Sequence, residues 1–339
     1  MKNLTIYKDT ITERNTKFEK LLLLTQEEMK TYVKARLGNF GNVSEGNGFI
    51  YHQGTFPVLL CAHMDTVHKE IPRVMVYANG TLSSPQGIGG DDRCGIYMIF
   101  KILKKYDCSV VFLEDEEIGC VGAKKFVNSI ICAKIKRENN FKYIIEFDRK
   151  GNNHAVTYDC DNKEFDSFIT KEFFKKEYGT CSDISYIAPE LGVAAVNLSC
   201  GYYKEHNIEE WVNIKEMERV IVEAMKVLER TKELEKPFDY IKSTRPKYYG
   251  HGYGYWDDDY YYGGYSGYKG YGGYGNYGGT YKSDSTSKKV KYTFKYKTKY
   301  DCFTVTITEK TDAEAFYEFF KTHPTVCYED IISTIREDV

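Results

Sequence analysis

The sequence lacks most of the features that would place a chain in a membrane, in an oxidising compartment or on nucleic acid. No apolar run approaches the ~20 residues that a bilayer-spanning helix requires, so no membrane association is expected. The opening stretch, "MKNLTIYKDTITERNTKFEK", has no apolar core of the kind a secretory leader carries, and the expected location is therefore cytoplasmic. Lys and Arg number 47 against 49 Asp and Glu, a net charge of −2, so no global field attracts nucleic acid or an anionic surface. Ten cysteines are present without a single CxxC pair. Most lie inside apolar segments (Cys61, Cys108, Cys132, Cys200) and read as reduced, mostly buried thiols.

What is present falls into three zones, and the expected domains follow them: 1–236, 237–287 and 288–339. The first is patterned globular sequence. The second contains "RPKYYGHGYGYWDDDYYYGGYSGYKGYGGYGNYGGTYK", which is too rich in glycine and too poor in aliphatic residues to bury a core. It reads as a flexible linker, or as an adhesive segment whose tyrosines stack on one another or on bases. Its cations Arg245, Lys247, Lys269 and Lys282 barely exceed Asp257, Asp258 and Asp259, which disfavours nucleic acid. In the third zone Val290, Tyr292, Phe294 and Tyr296 alternate with Lys291, Lys295, Lys297 and Lys299, the pattern of a half-buried strand. Paired with "FTVTI" and followed by a capped helix over "TDAEAFYEFFKTH", it forms an expected small β-β-α unit. An unidentified partner for the second and third zones is conceivable.

Within the first zone, "FEKLLLLTQEEMKTYVKARLG" has the length and period of one amphipathic helix stopped by Gly38. Short β-rich runs ("GFIYHQ", "PVLLCA", "SVVFLE", "YIIEF", "VAAVNL") alternate with helical patterns ("CGIYMIFKILKKY", "CVGAKKFVNSI", "NIKEMERVIVEAMKVLERTKEL"). That alternation predicts an α/β fold with a mostly parallel central sheet flanked by helices.

Polar residues follow the predicted strands at regular intervals. His63 and Asp65 follow "VLLCA", Asp91 and Asp92 stand in "GIGGDDRCG", and Glu116 and Glu117 follow "SVVFL". Asp148 follows "YIIEF", and His206 follows "VAAVNLSCGYYKE". The steps from His63 to Asp91, Glu117 and Asp148 are 28, 26 and 31 residues, about one βαβ unit each. Residues so spaced can converge on the carboxyl edge of a parallel sheet, where open α/β folds place their sites. Two imidazoles with three or more carboxylates suit a pair of zinc ions with one carboxylate bridging. The adjacent Glu116 and Glu117 provide for one ligand and one general base, and Asp65 can fix the tautomer of His63. His52, His68, His154, His251 and His323 have no comparable partners in sequence and read as structural or surface residues.

The ordered set "AHMDTV", "GGDDRCG", "EDEEIGCVGA", "FD" and "GYYKEHNIEEWVNI" resembles the successive motifs of the co-catalytic di-zinc aminopeptidase and carboxypeptidase superfamily, which includes peptidase T and the tetrahedral aminopeptidases. The resemblance spans roughly residues 15–235. It implies that His63 and Asp148 bind one metal and Glu117 and His206 the other, with Asp91 bridging. Glu116 would be the general base, Asp65 would orient His63, and Asp92 would be structural. The implied cofactors are two divalent ions, zinc first, with cobalt or manganese compatible.

The chain departs from many relatives in having only 57 residues between Asp148 and His206 and 27 between His63 and Asp91. Neither interval has room for a lid domain, so a lidless catalytic domain is expected, and exposed strand edges make a homo-oligomer plausible. Tyr202 or Tyr203 is a candidate oxyanion donor, with packing as the simpler role. Arg149 and Lys150 either meet a substrate carboxylate or face solvent. The expected activity is that of an aminopeptidase on short peptides. Hydrolysis of another amide, such as an N-acyl amino acid or a dipeptide, and a non-catalytic scaffold are the alternatives.

Overall fold

The computed structural model describes residues 4–9, 12–138, 140–244, 289–297, 302–309 and 331–338, together with 311, 314, 315, 318, 319, 322 and 323. The Tyr/Gly-rich segment, with His251, lies outside the described residues.

In chain order the elements are β1 (Thr5–Lys8), α1 (Thr16–Leu22), α2 (Gln26–Leu37), β2 (Val43–Gly46), β3 (Phe49–His52), β4 (Phe56–His63), β5 (Val74–Ala78) and β6 (Thr81–Ser83). Then come α3 (Gly90–Ile102), β7 (Cys108–Leu113), α4 (Val121–Val127), α5 (Ile130–Glu138), β8 (Tyr143–Arg149), β9 (His154–Val156), α6 (Lys163–Ile169) and β10 (Lys175–Glu177). The first zone closes with α7 (Ile184–Leu191), β11 (Ala195–Ser199), β12 (Tyr202–Tyr203), β13 (Trp211–Asn213) and α8 (Ile214–Thr231). Three further strands follow: β14 (Val290–Lys297), β15 (Cys302–Glu309) and β16 (Ile331–Asp338).

The main sheet has eight strands in the order β10-β9-β11-β8-β4-β7-β3-β2. Its centre, β11, β8, β4 and β7, is parallel throughout. Alternation along these strands sorts their side chains to two cores. Val58, Leu60 and Ala62 of β4 face a layer that includes α1, α2, α3, α6 and α8, while Leu59 and Cys61 face α4, α5 and α7. This is the α/β architecture expected from the alternating runs.

Two expectations change. The single helix over Phe18–Leu37 is instead two, α1 and α2, because Thr25 caps the second. Its hydroxyl accepts the Glu28 amide at 3.3 Å, and the Glu28 carboxylate accepts the Thr25 amide at 2.9 Å. This capping box satisfies two amides that an unbroken helix would have bonded internally. The C-terminal unit also carries a third strand, giving an antiparallel sheet ordered β15-β14-β16. Helical backbone at Glu314, Ala315, Glu318, Phe319 and Thr322 lies between its second and third strands. Val290, Tyr292 and Phe294 are buried as their alternation predicts, against Ala315 and Phe319 and against Val76 and Ala78 of β5. The strand β5 belongs to a second sheet, β1-β5-β6-β13-β12, which the sequence pattern had not revealed.

Between Asp148 and His206 lie only β9, α6, β10, α7, β11 and β12, and three of these four strands are part of the main sheet. Among the described residues no helix is long and apolar enough to cross a membrane.

Candidate metal centre

The strand order explains why distant residues meet. The chain leaves β4, passes through α3 and returns on one side as β7. It then crosses through α4 and α5 to the other side as β8. The strand β4 therefore sits where successive connections part, and the crevice at its carboxyl end is the place such folds use for binding. His63 ends β4, Glu116 and Glu117 follow β7, and Asp148 lies near the end of β8. Asp91 enters from the start of α3, across a cis peptide bond to Asp92, and His206 comes from the loop after β12.

All seven predicted residues converge. The buried His63 ring has its Nε2 3.0 Å from Asp91 Oδ1 and 3.4 Å from Asp148 Oδ1. Its Nδ1 lies 3.1 Å from Asp65 Oδ1. The other Asp91 oxygen is 3.4 Å from His206 Nε2, which is 3.0 Å from Glu117 Oε2. Asp65 also accepts the Glu116 and Glu117 amides, each at 3.0 Å, so one carboxylate ties the end of β4 to the loop after β7. Potential ligand atoms group as His63–Asp91–Asp148 and Asp91–Glu117–His206, with Asp91 in both; His63, Glu116 and Glu117 form a third group.

The electrostatics are those of a cation site. Burial opposes protonation of His63, but Asp148, Asp65 and Asp91 outweigh it and hold the imidazole well above its ordinary pKa. Asp91 and Glu117 raise His206 to about 11. Burial works against the ionised form of Asp91 too, yet His206 and His63 bring its pKa below the usual carboxylate range. Glu117 is pushed up to about 6, by burial and then by Asp91. Protons on two imidazoles thus balance charge among the clustered carboxylates, a task that divalent ions perform when bound. Glu117 Oε1 is buried without a hydrogen-bond partner, as befits a ligand atom. The donor set of imidazole nitrogens and carboxylate oxygens fits zinc and also suits cobalt or manganese.

Glu116 differs from its neighbour. Burial raises its pKa to about 9, and the charges of Asp148, Asp183 and Glu117 add to that while His63 opposes it. Asp92 takes the structural part expected of it: Oδ1 accepts the Gly95 amide at 2.8 Å and Oδ2 the His63 amide at 3.3 Å.

Several supporting residues had no sequence signal strong enough to single them out. Glu210, four residues after His206, is fully buried and accepts the amides of Asp91 and Gly89, both at 2.9 Å. His68, read as structural or surface, is tied to Glu210 at 2.7 Å. Beneath Asp148, the Ser182 hydroxyl approaches Asp148 Oδ2 at 3.1 Å and Glu146 Oε2 at 2.5 Å. The separation of Glu146 and Asp148 by two along β8, which puts both on one strand face, was the available clue. Asp183, at the start of α7, is wholly buried with neither oxygen hydrogen-bonded, and burial pushes its pKa up to about 8.

Other candidates point elsewhere. Tyr202 is buried and its hydroxyl donates to Asp148 Oδ1 at 3.2 Å, so it holds a carboxylate and is not poised for an oxyanion. Tyr203 bonds Glu216 and stacks on Trp211 at 4.2 Å. Arg149 donates to the Tyr178 carbonyl at 3.3 Å, and Lys150 lies 3.0 Å from Glu205. A cavity of about 300 Å³ opens beside Asp65, between Leu24 and Gln26 on one side and Thr66 and Ile71 on the other. None of the five proposed ligands lines it.

No family model matches the sequence, and no curated protein matches it. Solved structures do match the fold. Aminopeptidase PepT from Bacillus cereus aligns with a TM-score of 0.50 at 14% identity, covering 64% of this chain and 97% of its own. A tripeptidase from Staphylococcus aureus aligns with a TM-score of 0.48 at 12% identity, covering 64% and 97%. The chain thus shares the fold of the PepT aminopeptidase, in line with the motif order.

Proposed function

We propose that this chain is a metal-dependent exopeptidase, most simply an aminopeptidase that hydrolyses short peptides. The observation that carries the reading is Asp91, one carboxylate set between two imidazoles, 3.0 Å from His63 and 3.4 Å from His206. In this reading His63, Asp91 and Asp148 hold one divalent ion, and Asp91, Glu117 and His206 hold the other. Such ions supply polarisation of a scissile carbonyl and acidification of water at neutral pH.

The chain's own residues supply the proton traffic and the positioning. Glu116 takes a proton from the attacking water and delivers it to the leaving amine. Without bound ions burial raises its pKa to about 9; nearby divalent cations would favour its ionised form and bring it toward the range a general base needs. Asp65 holds His63 by Nδ1 and simultaneously sets the backbone of Glu116 and Glu117, so base and ligand share one anchor.

The test is metal content and peptide turnover measured together on the wild type and on Glu116→Gln. The reading requires about two metals per chain in both proteins. It also requires turnover on unblocked peptides in the wild type, and a loss on the order of 10²–10⁴-fold in the variant. A wild type that binds no metal overturns it in favour of the scaffold. Metal without turnover on free N-termini, but with cleavage of N-acyl substrates, moves the activity to another amide.

A further inference from the structure

Two cysteines stand apart from the others. Cys61, Cys94, Cys108, Cys132 and Cys200 are buried thiols that desolvation pushes to high pKa. Cys120 and Cys181 instead meet where α4 and α7 begin. These helices pack side by side through Ala123 and Phe126 on one and Ile184, Ile187 and Ala188 on the other. The two sulfurs lie within reach of each other. Cys120 is 4% exposed and directs its Sγ at Glu116 Oε1, 3.5 Å away, whereas Cys181 is open to solvent. Among the described residues the Glu116 carboxylate accepts no other hydrogen bond.

The surroundings of Cys181 favour the nucleophilic form of its sulfur. Cys120, Ser185 and the Ser182 backbone lie within hydrogen-bonding reach of it, and Lys124 adds a positive charge. Against the opposing cost of burial these hold its pKa at about 6. An exposed thiolate beside a second thiol is the arrangement in which thiol–disulfide exchange runs to an intramolecular disulfide.

We propose that Cys120 and Cys181 form a redox-active dithiol, oxidised by low-molecular-weight disulfides to an intramolecular disulfide that disables Glu116. In the first step the Cys181 thiolate attacks one sulfur of the disulfide RSSR, forming a mixed disulfide and releasing RS⁻. In the second, Cys120 gives up its proton and attacks Cys181 Sγ, expelling the other RS⁻. Two protein thiols are oxidised and RSSR is reduced to two thiols, which take up the two protons. The product has no S–H to donate to Glu116, and the sulfur of Cys120 is drawn toward α7. The loss of turnover rests on reading Glu116 as the general base; formation of the disulfide does not.

The experiment treats the full-length, metal-loaded protein with oxidised glutathione and maps its cysteines without reduction. The expected result is one Cys120–Cys181 cross-linked peptide pair. Turnover should fall on the order of 10²-fold, the size of a general-base contribution, and dithiothreitol should restore it. Cys181→Ser should keep its turnover under the same treatment. Cys120→Ser should hold a stable glutathione adduct on Cys181, because the resolving thiol is gone. Persistence of both thiols in the wild type, or a lasting wild-type glutathione adduct, overturns the dithiol; a cross-link with undiminished turnover overturns the switch. Should the reduced enzyme cleave no peptide, the proposed function fails, while the wild-type map still decides the dithiol.

Discussion

The carboxylate of Glu210 and the backbone of Asp91 are joined by a 2.9 Å hydrogen bond, with Glu210 completely buried. The second Glu210 oxygen accepts the Gly89 amide and pairs with His68. One side chain thereby shapes the turn that delivers Asp91 to the space between two imidazoles. It does so without being among the groups that can hold an ion.

Glu210→Gln replaces an acceptor oxygen by an amide nitrogen that cannot accept from Asp91 or Gly89. Removing such supporting hydrogen bonds typically costs 10–100-fold in metal affinity, and the variant is expected to lose about that much. Titration with zinc against a competing chelator measures it, and an unchanged affinity would show that Asp91 is positioned by other contacts.

Asp65→Asn is expected to weaken metal binding by a similar ~10–100-fold, with a further effect that Glu210→Gln lacks. The wild-type carboxylate accepts both the Glu116 and Glu117 amides at 3.0 Å. In the variant one of those amides loses its acceptor, so hydrogen exchange at Glu116 and Glu117 should accelerate. Protection equal to the wild type would refute the shared anchor.

Tyr202→Phe separates two roles. A hydroxyl that holds Asp148 should affect metal affinity and leave kcat nearly unchanged at saturating metal, because its 3.2 Å bond goes to a carboxylate. An oxyanion donor would instead cost about 10²–10³-fold in kcat. Measuring kcat at several metal concentrations distinguishes them.

The metal-free protein should lose stability as the pH rises, and the signs agree. His206 is raised to about 11. It contributes fully below its unfolded value near 6.5, and the contribution disappears as the pH passes 11. Glu116, raised to about 9, likewise holds its proton longer in the native state than in the unfolded chain. The native state therefore binds more protons from about pH 4.5 upward, and stability falls by at most about 1.4 kcal/mol per pH unit for each such group. Thermal melts in chelator at several pH values should show the decline, Glu116→Gln should flatten it, and added zinc should reverse it. A metal-free Tm that climbs across this range would contradict the argument.

Gly95→Ala is expected to destabilise the fold by at least ~1–3 kcal/mol, the range for overpacking. A Cβ there would lie 2.0 Å from the Phe147 carbonyl oxygen and 2.5 Å from the Asp92 carboxylate. Only glycine lets α3 approach β8 beside Asp148. A Tm within a degree of the wild type would mean that the helix can shift away at no cost.

Much of this was legible in the residues. Alternating apolar runs and helical periods reported which segments are strands and helices, because local burial leaves a period of two or of 3.6 in the sequence. His63, Asp65, Asp91, Glu116, Glu117, Asp148 and His206 could be singled out because polar residues at the ends of apolar runs stand against that background. The break at Thr25 was also written there, as a threonine followed three residues later by Glu28, and was hidden only by the strong apolar period on either side. The small sheet containing β5 and β6 was not legible, since its strands are as short as two residues and no period develops over that length.

By itself, then, the sequence determined the order of strands and helices and the chemistry placed at their ends. Only the tertiary structure decided that β4 lies between β7 and β8, so that His63 meets both Asp148 and the Asp65-bound loop of Glu116 and Glu117. It alone paired Glu210 with Asp91, and Cys120 with Cys181. Local propensity and periodicity act over a few residues. Apart from the His63–Asp65 pair, the contacts that make this site join positions 28 to 119 residues apart, and they are set by crossover connections and by packing of the two helical layers.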